Sequence, residues 1–232
     1  CKFIKLHCER KVARLNRLAE YYKGEHDILR RSKDNSLANN KLVCNHAKYI
    51  TDMLTGYMTG SPVVYTDSEN NDISSLTEML KKSESDVQDA DLEHNISIYG
   101  VGYEMAYMSN DDIPCIKLAN CEPQNTLVVY DDTVEHKPIF GVYYFPIYDE
   151  NQNLSGYKCT MSTDNILYDF QLDISFSIKN STITERENIF GMVNIIEYYN
   201  NAERNGDFES VINLIDAYNK LQSDRVNDKE QF

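Results

Sequence analysis

Three residues carry the types that metal-dependent DNA cleavage needs: Glu135 and Lys137, separated by His136, with Asp112 upstream. Carboxylates so placed would hold a magnesium ion, and the lysine would help to activate water. The chemistry requires the Glu and the Lys to leave a strand on the same side. Pro138 follows at once and Thr133-Val134 reads as loop, so surface charge entering a strand is the competing explanation. Magnesium-dependent cleavage of plasmid DNA, lost on Glu135→Ala, would identify the nuclease. Gly100-Val101-Gly102 has the spacing of a nucleotide loop, but Met105 stands where a third glycine belongs. A helix precedes these glycines and a strand follows, the reverse of the order that holds a pyrophosphate. They read as a turn. His7, His26, His46, His94 and His136 are isolated, and the cysteines at 1, 8, 44, 115, 121 and 159 include no Cys-x-x-Cys, which argues against zinc. No Ser or Cys has a base close to it in sequence. No catalytic, cofactor-binding or metal-binding residue is assigned on these grounds, and no cofactor is expected.

The elements that would carry these residues follow from periodicity. In residues 8–23, Val12, Leu15, Leu18 or Ala19, and Tyr22 recur at helical spacing among basic residues, and Gly24 ends the helix. A basic amphipathic helix of this kind suits contact with nucleic acid or an acidic partner, or simply a solvated face on a packed helix. Residues 25–40 read as a polar connecting arm. The next helix is centred on Leu42, His46, Tyr49, Ile50, Met53 and Tyr57, with Asn39 and Asn40 as its caps. On that stripe Tyr49 and Met53 are expected in the core. Gly56, Gly60 and Pro62 stop the helix, and Val63, Val64 and Tyr65 begin an extended segment. After the turn cluster at 67–72, two helices are expected over 73–82 and 84–99, the second packing through Val87, Leu92, Ile96 and Tyr99.

From Gly100 the period becomes two, with strands expected over 103–108, 114–118, 126–130, 139–145, 156–161, 165–170 and 192–198. Asp-rich turns at 110–112, 131–132 and 149–151 separate them and favour antiparallel pairing. Residues 173–188, with Lys179, Asn180 and Ser181, read as loop. A final helix from Asp207 to Phe232 carries an apolar stripe of Phe208, Val211, Ile212, Ile215, Tyr218 and Leu221. The fold class is therefore α+β: N-terminal helices on a mostly antiparallel sheet, then a long C-terminal helix.

At 232 residues the chain has ample length for a core, as one large domain or two small ones. Its formal charge is −14, yet residues 1–33 hold ten Lys/Arg against four Asp/Glu. A body this acidic repels phosphate, so stable DNA wrapping is not expected, while transient passage of DNA is compatible with it. Scattered cysteines and the lack of a leader read as reduced thiols, which leaves the Asn-x-Ser/Thr matches at Asn95, Asn153 and Asn180 without meaning. No run reaches the roughly 20 apolar residues of a membrane span.

Several blocks of the sequence share their wording with one family. The first comprises Tyr22-x-Gly24-x-His26-x-Ile28, Asn39-Asn40-Lys41-Leu42-Val43, Tyr49-Ile50-x-Asp52, and Gly56-Tyr57-x-x-Gly60-x-Pro62-Val63-x-Tyr65. The second holds Ile98-Tyr99-Gly100, Tyr103-Glu104 and Val129-Tyr130-Asp131-Asp132. The third holds Ile195-Ile196-Glu197-Tyr198, Gly206-Asp207-Phe208-Glu209, Leu214-Ile215-Asp216-Ala217-Tyr218 and Ser223-Asp224-Arg225. In this order they resemble the front part of tailed-phage portal proteins, with residues 1–20 and 151–188 contributing little. The resemblance implies a structural ring subunit through which DNA enters and leaves the capsid. It implies a single wing-like α+β unit over 1–232: 1–99 mainly helical, 100–199 mainly strands, and 206–232 a helix leading toward a stem. The chain starts at Cys1 and stops at Phe232 inside a helical pattern, so it reads as a fragment lacking stem, clip and crown. The implied partners are further copies in a cyclic, dodecameric ring, a terminase motor, a scaffold or capsid protein, a head–tail adaptor and passing double-stranded DNA, with no membrane. The implied location is the capsid vertex of the virion, and the bacterial host cytoplasm during assembly. No residue is carried over as a DNA or terminase contact. A magnesium nuclease and a generic head adaptor are the alternatives.

Overall fold

A computed structural model describes residues 1–34, 38–69, 71–112, 114–178 and 183–230. Lys179, Asn180 and Ser181 of the expected loop, Asn70 of the expected turn cluster, and Phe232 lie outside the described residues.

The chain opens with two helices, α1 (Lys2–His7) and α2 (Ala13–Lys23), joined by a π-helical turn over Cys8–Val12. Leu15, Leu18 and Tyr21 are buried, so the inward aromatic is Tyr21 and not the expected Tyr22. Gly24 ends α2 as expected. It adopts φ +86°, its N–H bonds Tyr21 O at 3.1 Å, and the next N–H bonds Glu20 O at 2.8 Å, which closes the helix end without a Cβ clash. A 3-10 turn (Asp27–Arg30) follows, then an irregular arm to α3 (His46–Thr59), α4 (Ser74–Lys82) and α5 (Ser85–Tyr99).

The start of α3 departs from expectation. Its cap is Asn45, whose Oδ1 accepts from Lys48 N at 3.0 Å. Asn39 and Asn40 are engaged elsewhere: Asn39 Oδ1 accepts from Arg31 Nε at 3.3 Å, and Asn40 binds the last helix, α6 (Ile212–Glu230). The arm passes alongside α6 with every second N–H aimed at it. Asn40 N reaches Asn227 Oδ1 at 2.7 Å, Leu42 N reaches Ser223 Oγ at 2.9 Å, and Cys44 N reaches Asn219 Oδ1 at 2.8 Å. Backbone donors that leave water must find acceptors, and here side chains at four-residue steps on a helix supply them. The buried face of α6 therefore runs Ile212, Ile215, Asn219, Ser223, Asn227, apolar at first and polar after one turn. Phe208, Ile212 and Ile215 are buried as the apolar stripe predicts, whereas Tyr218 and Leu221 are exposed.

The face of α3 also differs. Ala47 and Thr51 are fully buried, while Tyr49 is 63% and Met53 58% exposed. Both expected core residues lie outside. The helix is apolar over more than one side, and its close packing against α5 selects the small residues. Val63, Val64 and Tyr65 are exposed and join no strand among the described residues. Val87 of α5 is exposed too.

Among the described residues eight strands follow: β1 (Val101–Met108), β2 (Ile116–Cys121), β3 (Thr126–Tyr130), β4 (Pro138–Tyr148), β5 (Leu154–Ser162), β6 (Ile166–Leu172), β7 (Thr184–Glu187) and β8 (Ile195–Tyr199). They form two antiparallel sheets, one ordered β2-β1-β8 and one ordered β3-β4-β5-β6-β7. Strand β7 lies in the stretch read as loop. Its Thr-Glu-Arg-Glu is exposed throughout and holds the sheet edge by pairing with β6, so no apolar alternation marks it. Gly100, with φ +77°, makes the turn from α5 into β1, and a Cβ there would lie 2.2 Å from Arg204 O.

One cluster of buried side chains gathers Leu15, Leu18, Tyr21, Ile98, Tyr103, Ile195, Phe208 and Ile215 from α2, α5, the three-stranded sheet and the segment into α6. A second joins Ile4 of α1 to Leu127, Val142, Tyr144, Cys159 and Leu172 of the five-stranded sheet.

Candidate functional site

The sequence candidates for metal chemistry are not brought together as one site. Asp112 lies on the exposed β1–β2 turn of the three-stranded sheet. Glu135 and Lys137 lie on the β3–β4 turn of the other sheet, both exposed, and form an ion pair with each other. His136 between them sits at φ +48° with its ring stacked on Tyr130, so the two flanking side chains belong to a tight turn rather than to a strand face. Asp131 organises that turn, its Oδ1 accepting from Thr133 N at 3.2 Å and Lys137 N at 3.1 Å. Among the described residues, no three His, Cys, Asp or Glu side chains gather in a way that would hold a metal ion.

Sequence reasoning missed one constellation, because its members are more than 130 residues apart. Tyr144 Oη lies 2.9 Å from His7 Nδ1 and 3.2 Å from Cys8 Sγ, and donates to Gln124 O at 3.0 Å. A Cys beside a His suggests an activated thiolate, but the electrostatics are wrong for one. Burial pushes the Cys8 thiol up. Burial, with the Lys11 charge as the lesser cause, lowers His7 to about 4, so the imidazole carries no charge at neutral pH to stabilise a thiolate. The group joins the N-terminal helix to the β4 face and has no nucleophile ready to react. Cys121 and Cys159, both buried, are pushed up to about 12 by desolvation. All six cysteines are free thiols.

The basic excess of the first 33 residues is largely used inside the chain. Arg14 binds Glu209 and also donates to Arg204 O at 2.9 Å. Arg17 pairs with Asp27, Arg30 with Glu20, and Arg31 and Lys33 both with Asp224. An open cleft of roughly 880 Å³ between α2, α5 and β2 is lined by Glu20, Glu25, Asp91 and Glu122. His94, whose pKa burial lowers, stands in it with its ring edge-on to Tyr22. Four carboxylates against Lys23 make the lining net acidic, which disfavours phosphate.

His26 ties the front helices to α6. Its ring is fully buried and stacked on Tyr21 with centroids 4.7 Å apart. Nε2 lies 2.9 Å from Tyr21 O and so must donate to it, which leaves Nδ1 to accept from Asn219 Nδ2 at 2.8 Å. Tyr21 Oη in turn donates to Asp216 at 2.8 Å. These groups hold the front helices against α6. Among the described residues, no helix is long and apolar enough to cross a membrane.

A family model described as phage portal protein, SPP1 Gp6-like, matches residues 1–232. The portal protein of Bacillus phage SPP1 is 23% identical over 234 residues, an alignment that covers 91% of this chain and 46% of that protein. The chain thus spans less than half the length of the curated relative it matches. It belongs to the SPP1 Gp6-like phage portal protein family.

Proposed function

We propose that this chain forms the wing-like part of a structural ring subunit at the capsid vertex, through which double-stranded DNA is packaged and later leaves. The observation that carries the reading is the family match, which runs unbroken over residues 1–232. The chain acts as one α+β unit with no catalytic step of its own. Its work is to hold shape and to pack against further copies in a cyclic, dodecameric ring. The acidic surface suits a wall past which DNA slides, because a body of one charge sign does not grip phosphates. Force comes from a separate terminase motor, which docks on the natural protein along with a scaffold or capsid protein and a head–tail adaptor. The protein assembles in the host cytoplasm and ends in the virion.

Electron microscopy of the natural full-length protein tests this. A closed ring with an axial channel is expected, and class averages count its subunits. Compact particles without a channel would replace the ring with a generic head adaptor.

A further inference from the structure

Four groups that span α2, α6 and the arm before α3 form one directed relay of hydrogen bonds. Cys44 N donates to Asn219 Oδ1 at 2.8 Å, Asn219 Nδ2 donates to His26 Nδ1 at 2.8 Å, and His26 Nε2 donates to Tyr21 O at 2.9 Å. Both ends are backbone groups with fixed roles, since an N–H only donates and a carbonyl only accepts. The direction of every bond between them is thereby set. It admits one proton on the imidazole, and that proton sits on Nε2. Tyr21, His26 and Asn219 are all fully buried, so bulk water does not stand in for a missing partner.

We infer that this relay is a proton-sensitive latch, in which a proton taken up at His26 Nδ1 releases Cys44 of the arm from α6. The added N–H meets the NH2 of Asn219, donor against donor. The amide answers it by turning over, which brings Oδ1 to the ring and the NH2 to Cys44 N. A charged N–H bonds about twice as strongly as a neutral one, so the imidazolium takes the oxygen and the Cys44 amide loses its acceptor. The charged groups around the ring are engaged with one another. From α2, the Tyr21 ring stacks on the imidazole and its Oη is held by Asp216 of α6, while Arg17 pairs with Asp27. On the arm side Arg31 and Lys33 pair with Asp224 of α6. Among the described residues none of these carboxylates bonds the imidazole, so Asn219 is the group that must respond. The other two arm bonds, Leu42 N to Ser223 and Asn40 N to Asn227, use acceptors outside the relay. Protonation therefore acts on one end of the arm, at Cys44, next to the start of α3.

The test uses the natural full-length protein and hydrogen exchange read amide by amide from pH 8 to pH 5, with intrinsic exchange rates divided out. Wild type, Asn219→Asp and His26→Gln are compared. In the wild type the Cys44 amide should lose about tenfold or more in protection toward pH 5, the scale of one buried hydrogen bond. Asn40 at the far end of the arm, and the amides of the β4–β5 pair, should keep theirs. In Asn219→Asp a carboxylate accepts from Cys44 N and from a protonated ring together, so Cys44 should stay protected at pH 5. In His26→Gln a neutral amide repeats both bonds of the ring and takes up no proton, so Cys44 protection should not follow pH. This second variant decides the matter where the first fails to fold at pH 8. A purely structural role for His26 predicts weaker protection in both variants at every pH, with the wild-type slope, and that result overturns the inference. A wild-type Cys44 amide that stays protected to pH 5 overturns it too. So does one that loses protection together with Asn40 or β4–β5, which marks a general loosening in acid.

Discussion

Replacing Asn219 by Leu separates packing from polar pairing, because the two predict opposite signs. Leucine is the better helix former by a few tenths of a kcal/mol. Burying its side chain in a suitable apolar site would add about 1.5–3 kcal/mol, so pattern alone predicts a more stable protein. The structure predicts the reverse. Asn219 is fully buried and serves two groups that have left water: its Oδ1 accepts from Cys44 N, and its Nδ2 donates to His26 Nδ1, each at 2.8 Å. Leucine leaves both without partners, at about 1–3 kcal/mol each. After the propensity gain of a few tenths, and with no apolar pocket to receive the leucine, the net loss should be about 1.5–5.5 kcal/mol. Urea unfolding at pH 7 measures it, with Lys220→Leu at the neighbouring exposed site as a control of near-zero effect. Hydrogen exchange adds a local readout, since the amides of Asn40, Leu42 and Cys44 should exchange faster in the variant. An Asn219→Leu protein as stable as the wild type, with those amides still protected, would refute the account of α6.

Met53→Ala, at a side chain 58% exposed, should shift the unfolding free energy of the unassembled protein by no more than about 0.5 kcal/mol; a loss of about 2–5 kcal/mol would put Met53 in a packed core after all. His7 gives a pH signature. Its folded pKa, about 4, lies below the 6.5 of the unfolded chain, so its contribution is fully present above pH 6.5 and falls away toward pH 4 as the unfolded state takes up the proton first. At about 1.36 kcal/mol per unit this amounts to at most ~3 kcal/mol, and His7→Gln should flatten the pH dependence in that window relative to the wild type. Parallel curves for the two proteins would show that His7 is solvated. For DNA, filter binding at physiological ionic strength should give only weak, salt-sensitive retention. Micromolar or tighter binding that survives charge reversal at the exposed Arg10 and Lys11 would contradict the picture of a wall without grip.

The parts of the fold that were legible in sequence are those specified locally. Gly24 and Gly100 end helices because their positive φ suits no Cβ, and the turns at Asp131 and Asp149 follow from a carboxylate that binds N–H groups a few residues on. Strand β3 falls on the expected residues 126–130, a run of Thr, Val and Tyr that suits a pleated strand. What could not be read depends on distant partners. In α3 the residues at steps of three and four are apolar on two sides, and only its packing against α5 selects Ala47 and Thr51 over Tyr49 and Met53. Asn39 and Asn40 resemble helix caps by type, but the chance to bind Arg31 and Asn227 draws them away. The strand β7 has no pattern because neither of its faces is buried. The meeting of His7 and Cys8 with Tyr144 needs α1 laid on the five-stranded sheet, which no spacing in the sequence encodes. Asp112, Glu135 and Lys137 have suitable types for a metal site, but the topology assigns them to turns of different sheets.

The three rungs between the arm and α6 work as a vernier. An extended chain advances about 6.6 Å in two residues and a helix about 6.0 Å in four, so successive rungs drift by roughly 0.6 Å. Three rungs stay within hydrogen-bond tolerance, while a much longer ladder would fall out of phase. A slip by one step is blocked as well, since moving the arm one rung toward the helix start would set Cys44 N against Ile215, which has no acceptor in its side chain. The rungs are ordered 44 with 219, 42 with 223 and 40 with 227, so tension along the axis of α6 loads all three in shear together rather than peeling them one at a time. The helix is therefore indexed to the front of the chain at one setting, and any sliding of α6 must break every rung at once.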